Sequence, residues 1–204
     1  MKRLIILVVI LFCSLSLLKA QEFRAGVLSG VLATQVDGDY MSGYYKAGFI
    51  GGLFVYRDVF GAARIQGELV FATKGSRCAP KNTNPDFLQV STSSIDLSLM
   101  YIYKVSESLN FRIGLTPSAL LSAKEVRPTG VIQDPDNSPD FRRFGILGLA
   151  GVTYNLNKRF SITWSYNYSL LSIRSGNSEI YDLGFYEQNA QYHNYMSFVL
   201  GYTF

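Results

Sequence analysis

A strict alternation between two kinds of side chain runs through Ser161-Ile162-Thr163-Trp164-Ser165-Tyr166-Asn167-Tyr168-Ser169-Leu170. Every even position is large and apolar or aromatic, and every odd position is small and polar. A period of two residues is typical of a β-strand, because successive side chains of a strand point to opposite faces. The stretch therefore predicts a strand with one apolar face and one polar face.

The same alternation recurs along the chain and predicts eight strands, at 22–33, 44–56, 61–73, 92–103, 108–121, 141–155, 159–171 and 192–204. Glycines blur the pattern in the middle of the first two. The links after the second, fourth and sixth strands are short, whereas the others are longer, above all 74–91, 122–140 and 172–191. In an antiparallel meander this places all short turns at one end and all long loops at the other, as in outer-membrane barrels.

The balance of side chains indicates which face meets water. Only 17% of the 204 residues are charged, 14% are aromatic, and the polar faces hold mainly Ser, Thr, Gly and Asn. The rival fold, a soluble eight-stranded barrel or sandwich, has an apolar inner face and a charged outer face. We therefore predict an all-β fold, an eight-stranded antiparallel up-and-down transmembrane β-barrel. Its first and last strands must pair, because each backbone group left unpaired in lipid costs several kcal/mol.

The first twenty residues are predicted to be a cleaved export signal. Lys2-Arg3 is a basic start, Leu4 to Leu18 is almost wholly apolar, and Ala20 is the small residue expected before a cleavage site. The apolar run is shorter than the stretch of about 20 residues that a membrane helix needs. We expect a signal peptide at 1–20, an outer-membrane β-barrel domain at 21–204, and location in the cell outer membrane.

Charge and motifs exclude several classes of function. The chain has 19 Lys and Arg against 15 Asp and Glu, but three of the basic residues and none of the acidic ones lie in 1–20, which leaves 16 against 15. The near-neutral remainder gives no reason to expect a nucleic-acid partner. His193 is the only histidine, so a histidine-based metal cluster is excluded, and no glycine-rich phosphate loop is present. We expect neither enzymatic activity nor a cofactor.

Two alternatives to a structural role stay open. Some eight-stranded barrels of this size are lipid acyltransferases that use His and Ser at the rim. His193 is expected near the outer rim, and Ser91, Ser122 or Ser172 lie at that level. A histidine hydrogen-bonded to a loop explains the residue more simply. The second alternative is a narrow solute or ion pore.

Five charged residues fall on the polar faces of their predicted strands and are expected to point into the lumen: Arg24, Arg64, Glu68, Asp96 and Arg112. Eight strands enclose an interior just wide enough for side chains to fill. Opposite charges in so narrow a space must compensate each other, because an unpaired buried charge is costly. We predict a salt-bridge network that plugs the lumen, in preference to a gated pore or proton path.

Aromatic residues near the predicted strand ends are expected to form the girdles of the membrane interfaces: Tyr101, Tyr103, Trp164, Tyr166, Tyr168 and Tyr202. The chain ends on Phe204, which continues the apolar face of the last strand. Tyr202 and Phe204 resemble the aromatic-terminated final strand through which outer-membrane proteins are recognised by the barrel-assembly machinery.

Several motifs, in their order and spacing, resemble the PorT-type small outer-membrane β-barrel family (outer membrane protein beta-barrel domain) of Bacteroidota-like bacteria. They are Gly48-Phe49-Ile50-Gly51-Gly52, Glu68-Leu69-Val70-Phe71-Ala72-Thr73-Lys74-Gly75, Gly114-Leu115-Thr116-Pro117 and Leu200-Gly201-Tyr202-Thr203-Phe204. The resemblance covers essentially all of the mature chain. It implies a barrel fold and an outer-membrane location and, for a few members, a role in secretion. The segment 94–99 departs from it by lacking the proline that many members carry on the fourth strand.

The long loops are expected to hold what partner specificity there is. Asp37-Gly38-Asp39 and Asp134-Pro135-Asp136-Asn137 with Asp140 suit either a divalent cation or ordinary turns. Basic residues that flank the loops are candidates for contact with the phosphates of outer-membrane lipid and lipopolysaccharide: Arg77, Lys81, Lys124, Arg127, Arg142 and Arg143. Cys78 is the only cysteine of the predicted mature chain, either a free thiol or a crosslinking site. The long loops also offer contacts for envelope proteins.

The sequence as a whole predicts an integral outer-membrane protein with a structural, adhesive or interaction role and a side-chain-filled lumen. An accessory of a protein secretion system is the first alternative, and a lipid-modifying rim enzyme or a narrow pore is the second.

Overall fold

A computed structural model describes residues 23–38, 43–78, 89–127, 130–133, 141–174 and 190–204. The predicted export signal at 1–20 lies outside the described residues. Within these ranges, no helix combines the length and the apolar character that crossing a membrane requires.

The described part of the chain folds into antiparallel strands. They are β1 (Arg24–Asp37), β2 (Lys46–Asp58), β3 (Ala63–Arg77), β4 (Gln89–Lys104), β5 (Leu109–Arg127), β6 (Gly130–Gln133), β7 (Phe144–Asn155), β8 (Phe160–Ser169) and β9 (Tyr192–Thr203). Each of the eight long strands pairs with the long strands before and after it in the chain. The short β6 pairs only with the end of β5, so β5 pairs directly with β7. The eight long strands form a closed barrel, so the predicted fold is confirmed.

The barrel closes where β1 meets β9. The two strands pair from Gly26 opposite Thr203 to Asp37 opposite Tyr192. At Gly30 the strands approach so closely that an added Cβ would lie 2.1 Å from the carbonyl oxygen of Phe198. A glycine is required there, which explains why the alternation is blurred in this part of β1.

Both ends of the described chain lie at the end of the barrel that carries the short turns. The turns at 59–62, 105–108 and 156–159 are four residues each. In the last of them, Asn157 Oδ1 accepts hydrogen bonds from the backbone N–H groups of Arg159 and Phe160, both at 2.8 Å. We call this the periplasmic end, because the short turns of outer-membrane barrels face the periplasm.

At the opposite, outer end the strands are longer than the sequence predicts. β3 continues to Arg77, β4 begins at Gln89 and β5 continues to Arg127, whereas the alternation places these limits at 73, 92 and 121. Most outward side chains at this end are polar, and the outward Ser93 and Ser122 have an Oγ to Oγ distance of 2.6 Å. An apolar outward face is therefore a signal for the membrane-facing part of a strand and not for its whole length.

The outward face of the barrel is an apolar belt. On β4 the outward side chains are 37–57% exposed, and they are Ile95, Leu97, Leu99, Tyr101 and Tyr103. On β8, Trp164 and Tyr166 also point outward, whereas Thr163, Ser165 and Asn167 are buried inside. So large an exposed apolar surface marks contact with another phase or partner, here lipid. The predicted assignment of faces is confirmed for these strands.

The inner face is more apolar than predicted on one side of the barrel. Leu28 and Leu32 of β1 pack inside with Ile50 and Phe54 of β2 and with Tyr195 of β9. In the sequence, the glycines of β1 and β2 obscure which positions of these strands face inward. The interior is therefore polar along β4, β5 and β8 and largely apolar along β1 and β2.

Leu99 lies at the centre of the outward row on β4, so a charge introduced there tests whether the apolar belt faces lipid. We expect Leu99→Arg to lower the free energy of unfolding by about 2–4 kcal/mol, because the charge lies at the bilayer midplane. Tyr103→Arg, at the periplasmic end of the same row, is the control and should cost about 0–1 kcal/mol. The measurement is urea unfolding in phospholipid vesicles, followed by the fluorescence of Trp164. Equal costs at the two positions would contradict a membrane-spanning β4.

Candidate functional site

A buried ion pair joins β3 and β5 across the inner face of β4. Arg112 Nη2 donates to Glu68 Oε1 at 2.7 Å, and the same oxygen accepts a hydrogen bond from Gln66 Nε2 at 2.8 Å. Arg112 Nη2 also contacts Met100 Sδ. Glu68 and Arg112 are both 8% exposed, so their charges are balanced by each other and not by bulk water.

A second buried ion pair lies on the outer side of the first. Lys74 Nζ donates to Asp96 Oδ2 at 2.6 Å, and Ser118 Oγ donates to Asp96 Oδ1 at 2.6 Å. The Lys74 ammonium also lies 5.3 Å from the centroid of the Tyr195 ring. Lys74 and Asp96 are each 1% exposed, so this pair is the more deeply buried of the two.

The structure does not join the five predicted lumen charges into one network. Glu68 and Arg112 pair with each other, but Asp96 pairs with Lys74. Arg64 lies at the periplasmic mouth, where its Nε donates to Asp58 at 2.7 Å and its guanidinium lies 3.9 Å from the Tyr56 ring centroid. Arg24 is exposed at the same mouth.

Two members of these pairs were missed by the sequence reasoning. Lys74 and Asp58 fell outside their predicted strands, which ended at 73 and 56. Continuing the even-numbered parity of Arg64 and Glu68 along β3 places Lys74 on the same inward face. That parity was the available signal.

A cavity of about 680 Å³ occupies the periplasmic half of the lumen, and we call it the periplasmic vestibule. Glu68 and Arg112 line its inner limit, and the turns at 105–108 and 156–159 line its opening. Two much smaller cavities of about 30 Å³ each lie beside the ion pairs, one lined by Glu68, Asp96 and Arg112 and one by Lys74 and Phe141. Among the described residues, the two ion pairs separate the vestibule from the outer side.

The outer end of the lumen is filled by an apolar cluster. Val90, Ala123 and Phe141 pack together, with Leu120 and Ile173 against them. The Arg174 guanidinium lies 4.0 Å from the Phe141 ring centroid and donates to Glu125 Oε2 at 2.6 Å. Together with the two ion pairs, this cluster occupies part of the described lumen on the outer side of the vestibule.

His193 lies at the outer end of β9, as its place in the sequence suggested, but its side chain is buried inside the barrel. It is 7% exposed, and its Nε2 lies 3.2 Å from Thr92 Oγ1. Its backbone N–H donates to Ser169 Oγ at 3.2 Å. Ser122 is on the outward face, and Ser172 is buried beside the small cavity that His193 also lines.

The aromatic residues proposed as girdles divide between levels. Tyr101 and Tyr103 lie outward near the periplasmic end of β4, and Tyr202 packs between Phe160 and Phe204 with ring centroids 5.0 and 6.1 Å apart. Trp164 is the fifth of the ten residues of β8, so it lies within the belt and not at an interface. Tyr166 and Tyr168 are nearer the outer end of that strand, and Tyr168 stacks on Tyr192 at 6.2 Å.

A polar cluster on the outward face marks the outer limit of the belt on β1 and β9. Asp37 accepts hydrogen bonds from Gln35 Nε2 at 2.6 Å and from Asn194 Nδ2 at 3.1 Å. The Tyr44 hydroxyl donates to Asn194 Oδ1 at 2.8 Å. Burial, and then the neighbouring Tyr166 and Asp37, raise the pKa of Tyr44, so this phenol stays a neutral donor at pH 7.

Two predictions about the loops fall largely outside the described residues. Asp39, 79–88 and 134–140 are not described, so the candidate cation site and Lys81 are not placed. Cys78 is partly exposed at the end of β3 and forms no disulfide. No group of three or more metal-binding side chains is found within the described ranges.

Residues 19–175 match the family model of the outer membrane protein beta-barrel domain. The chain belongs to this family. Because the match covers most of the chain, it identifies an outer-membrane barrel protein and agrees with the closed fold and the apolar belt. A comparison with the curated proteins gives no match.

Solved structures of small outer-membrane barrels share the fold. Ail, the attachment invasion locus protein of Yersinia pestis, in complex with the heparin analogue sucrose octasulfate, has a TM-score of 0.53 and 13% identity over 90% of this chain and 99% of that one. Neisserial surface protein A has a TM-score of 0.50 and 12% identity over 89% and 97% of the two chains. At such identities the likeness concerns the fold alone.

The Glu68–Arg112 pair gives a stability test of the outer-membrane barrel. We expect Arg112→Met to lower the free energy of unfolding by about 3–5 kcal/mol, because Glu68 then keeps a buried charge without a partner. Urea unfolding in vesicles measures the change. The double variant Glu68→Gln/Arg112→Met removes both charges and should recover most of the loss. If both variants lose the same free energy, the lost packing of Arg112 and not its charge is responsible.

Proposed function

We propose that this outer-membrane barrel is a non-conducting protein with an adhesive or interaction role, which it performs through its outer rim. The observation that carries the proposal is the closure of the described lumen. Two buried ion pairs, Glu68–Arg112 and Lys74–Asp96, and the apolar cluster around Phe141 lie between the vestibule and the outer side. A barrel closed in this way has its exposed outer rim as the surface that meets the cell exterior.

The charge of that rim suits a polyanionic partner. Four of the six basic residues proposed for phosphate contact have described side chains, and all four are exposed: Arg77, Lys124, Arg142 and Arg143. Phosphates of lipopolysaccharide and sulfated sugars present the matching charge. Ail binds the heparin analogue sucrose octasulfate in its solved complex, which supports sulfated glycans as a ligand class to test here.

We also propose that the protein is not an enzyme. An acyl-transfer site needs a serine in hydrogen-bond reach of a histidine whose other ring nitrogen is oriented by a third group. Nε2 of His193 contacts the hydroxyl of Thr92, and Nδ1 has no hydrogen-bond partner among the described residues. Ser122 is excluded by its outward orientation.

A second candidate role is a PorT-type accessory of a protein secretion system. The observation that favours it is the periplasmic vestibule, because an accessory of this kind needs a contact surface on the periplasmic side. With either role, we propose that a signal peptide is cleaved after Ala20 and that the barrel-assembly machinery recognises Tyr202 and Phe204. Crosslinking in whole cells, followed by identification of the envelope proteins that copurify, distinguishes this role from an adhesive one.

The outer-rim proposal predicts that intact cells bind labelled heparin through Arg142 and Arg143. Replacing both by serine should weaken binding by between about twofold and thirtyfold, since each exposed ion pair contributes about 0.2–1 kcal/mol. Cell fluorescence at several heparin concentrations measures the change. Lys158→Ser/Arg159→Ser is the matched control, because it removes the same charge at the periplasmic end, which heparin outside the cell does not reach. Equal binding by all three proteins would contradict the proposal.

The closed lumen predicts no ionic conductance in planar bilayers. The purified protein should give no channel steps, whereas replacing all four residues of the two ion pairs by alanine should give small ones in molecules that still fold. Folding is checked by heat-modifiable migration on gels. Steady conductance by the unmodified protein would establish a pore instead.

A further inference from the structure

The periplasmic vestibule carries an excess of positive charge. Six basic side chains line it, and they are Arg24, Arg64, Lys104, Arg112, Lys158 and Arg159. Only two of the lining residues are acidic, Glu68 and Glu107. Asp58 lies beside the cavity, but it accepts from both Arg64 at 2.7 Å and Lys104 at 2.8 Å, so one carboxylate is shared by two cations.

These charges lie at different depths. Lys158 and Arg159 are in the turn at the mouth, and Lys104 is opposite Asn110 at the periplasmic end of the β4–β5 pair. Arg112, opposite Ile102, is one inward-facing position deeper, which corresponds to about 7 Å along the strand. The cations therefore form a series along the axis and do not converge on one point.

Arg112, the deepest of these cations, has a hydrogen-bond donor that no described residue accepts from. Arg112 Nη2 is engaged by Glu68, but its Nε is buried and finds no acceptor among the residues that the structure describes. A buried polar group without a partner is costly, so a small movement of Arg112 that brings this N–H to an acceptor at the inner limit of the vestibule would be stabilising.

The mouth is framed by short turns. The turns at 105–108 and 156–159 are closed by their own hydrogen bonds, from Val105 N to Leu109 O at 2.9 Å and from Leu156 N to Phe160 O at 2.9 Å. No described segment crosses the opening. An occupant can thus extend from the vestibule into the periplasm and need not fit entirely inside.

We propose that the vestibule binds an extended acidic peptide segment that enters from the periplasm. Carboxylates on alternate residues of an extended chain are about 7 Å apart, which matches the step from Lys104 to Arg112. A compact oxyanion would need donors that converge on one point, whereas the basic side chains here lie one after another along the axis of the vestibule. Phe54 and Tyr56 also line the cavity and supply apolar contacts for the aliphatic parts of glutamate side chains. The proposal is independent of the role of the outer rim.

The test uses the full-length mature protein in a zwitterionic detergent and a fluorescein-labelled peptide, Glu-Ser-Glu-Ser-Glu-Ser, whose binding is followed by anisotropy. Lys158→Gln/Arg159→Gln should weaken binding by about twofold to thirtyfold. Arg142→Gln/Arg143→Gln removes the same charge at the outer rim and should leave the affinity unchanged. Equal losses in the two variants would show that net charge alone governs binding and would overturn the proposal.

Two further measurements locate the peptide. Ser161 lines the vestibule, and Ser161→Trp should weaken binding by narrowing it while every charge is kept; heat-modifiable migration shows that this variant is folded. A folded Ser161→Trp protein with unchanged affinity would overturn the proposal. The block peptide Glu-Glu-Glu-Ser-Ser-Ser should bind more weakly than the alternating one. Displacement of the peptide by millimolar inorganic phosphate would instead identify a site for small oxyanions and would also overturn it.

Discussion

The lack of water in the bilayer core is the constraint on which this structure depends. Every backbone N–H and C=O group that lies in hydrocarbon must find a partner within the protein, and a sheet satisfies this only when it has no edge. The pairing of β1 with β9 removes both edges at once. Because all neighbouring strands are antiparallel, that closure requires an even number of long strands and leaves both ends of the described chain at the same end of the barrel.

Closure also determines the chemistry of the interior. Since the outward positions are occupied by apolar side chains, the charges of the strands are left to the inside, where eight strands leave little room. Glu68 with Arg112 and Lys74 with Asp96 satisfy each other there, each with an additional hydrogen bond from a neighbouring polar side chain. The two ends differ because four-residue turns leave the periplasmic mouth uncovered, whereas Phe141 and Ile173 from the outer connections pack into the opposite end.

The alternation of β4, β8 and β9 was sufficient to predict the barrel, the pairing of its ends and the direction of Trp164 and Tyr166. The alternation did not predict the structure where outward positions are no longer apolar or where glycines interrupt the pattern. Beyond the belt, the outward residues of β3, β4 and β5 are mostly polar, so the strand limits and the inward Lys74 were missed. In β1 and β2, glycines required by close strand approach hide the phase, so the apolar inner wall of Leu28, Leu32 and Phe54 was not foreseen. The partner of each charge depends on strand register, which periodicity alone does not contain.

The pairing of β1 with β9 has a consequence for how the barrel is assembled. β1 is the first strand to be synthesised and β9 the last, and more than 150 residues separate Gly26 from Thr203 in the chain although they are neighbours in space. Contacts between such distant residues are slow to form. The barrel is therefore closed only after the final strand has been synthesised, and until then its unpaired strand edges must be kept from pairing with other chains.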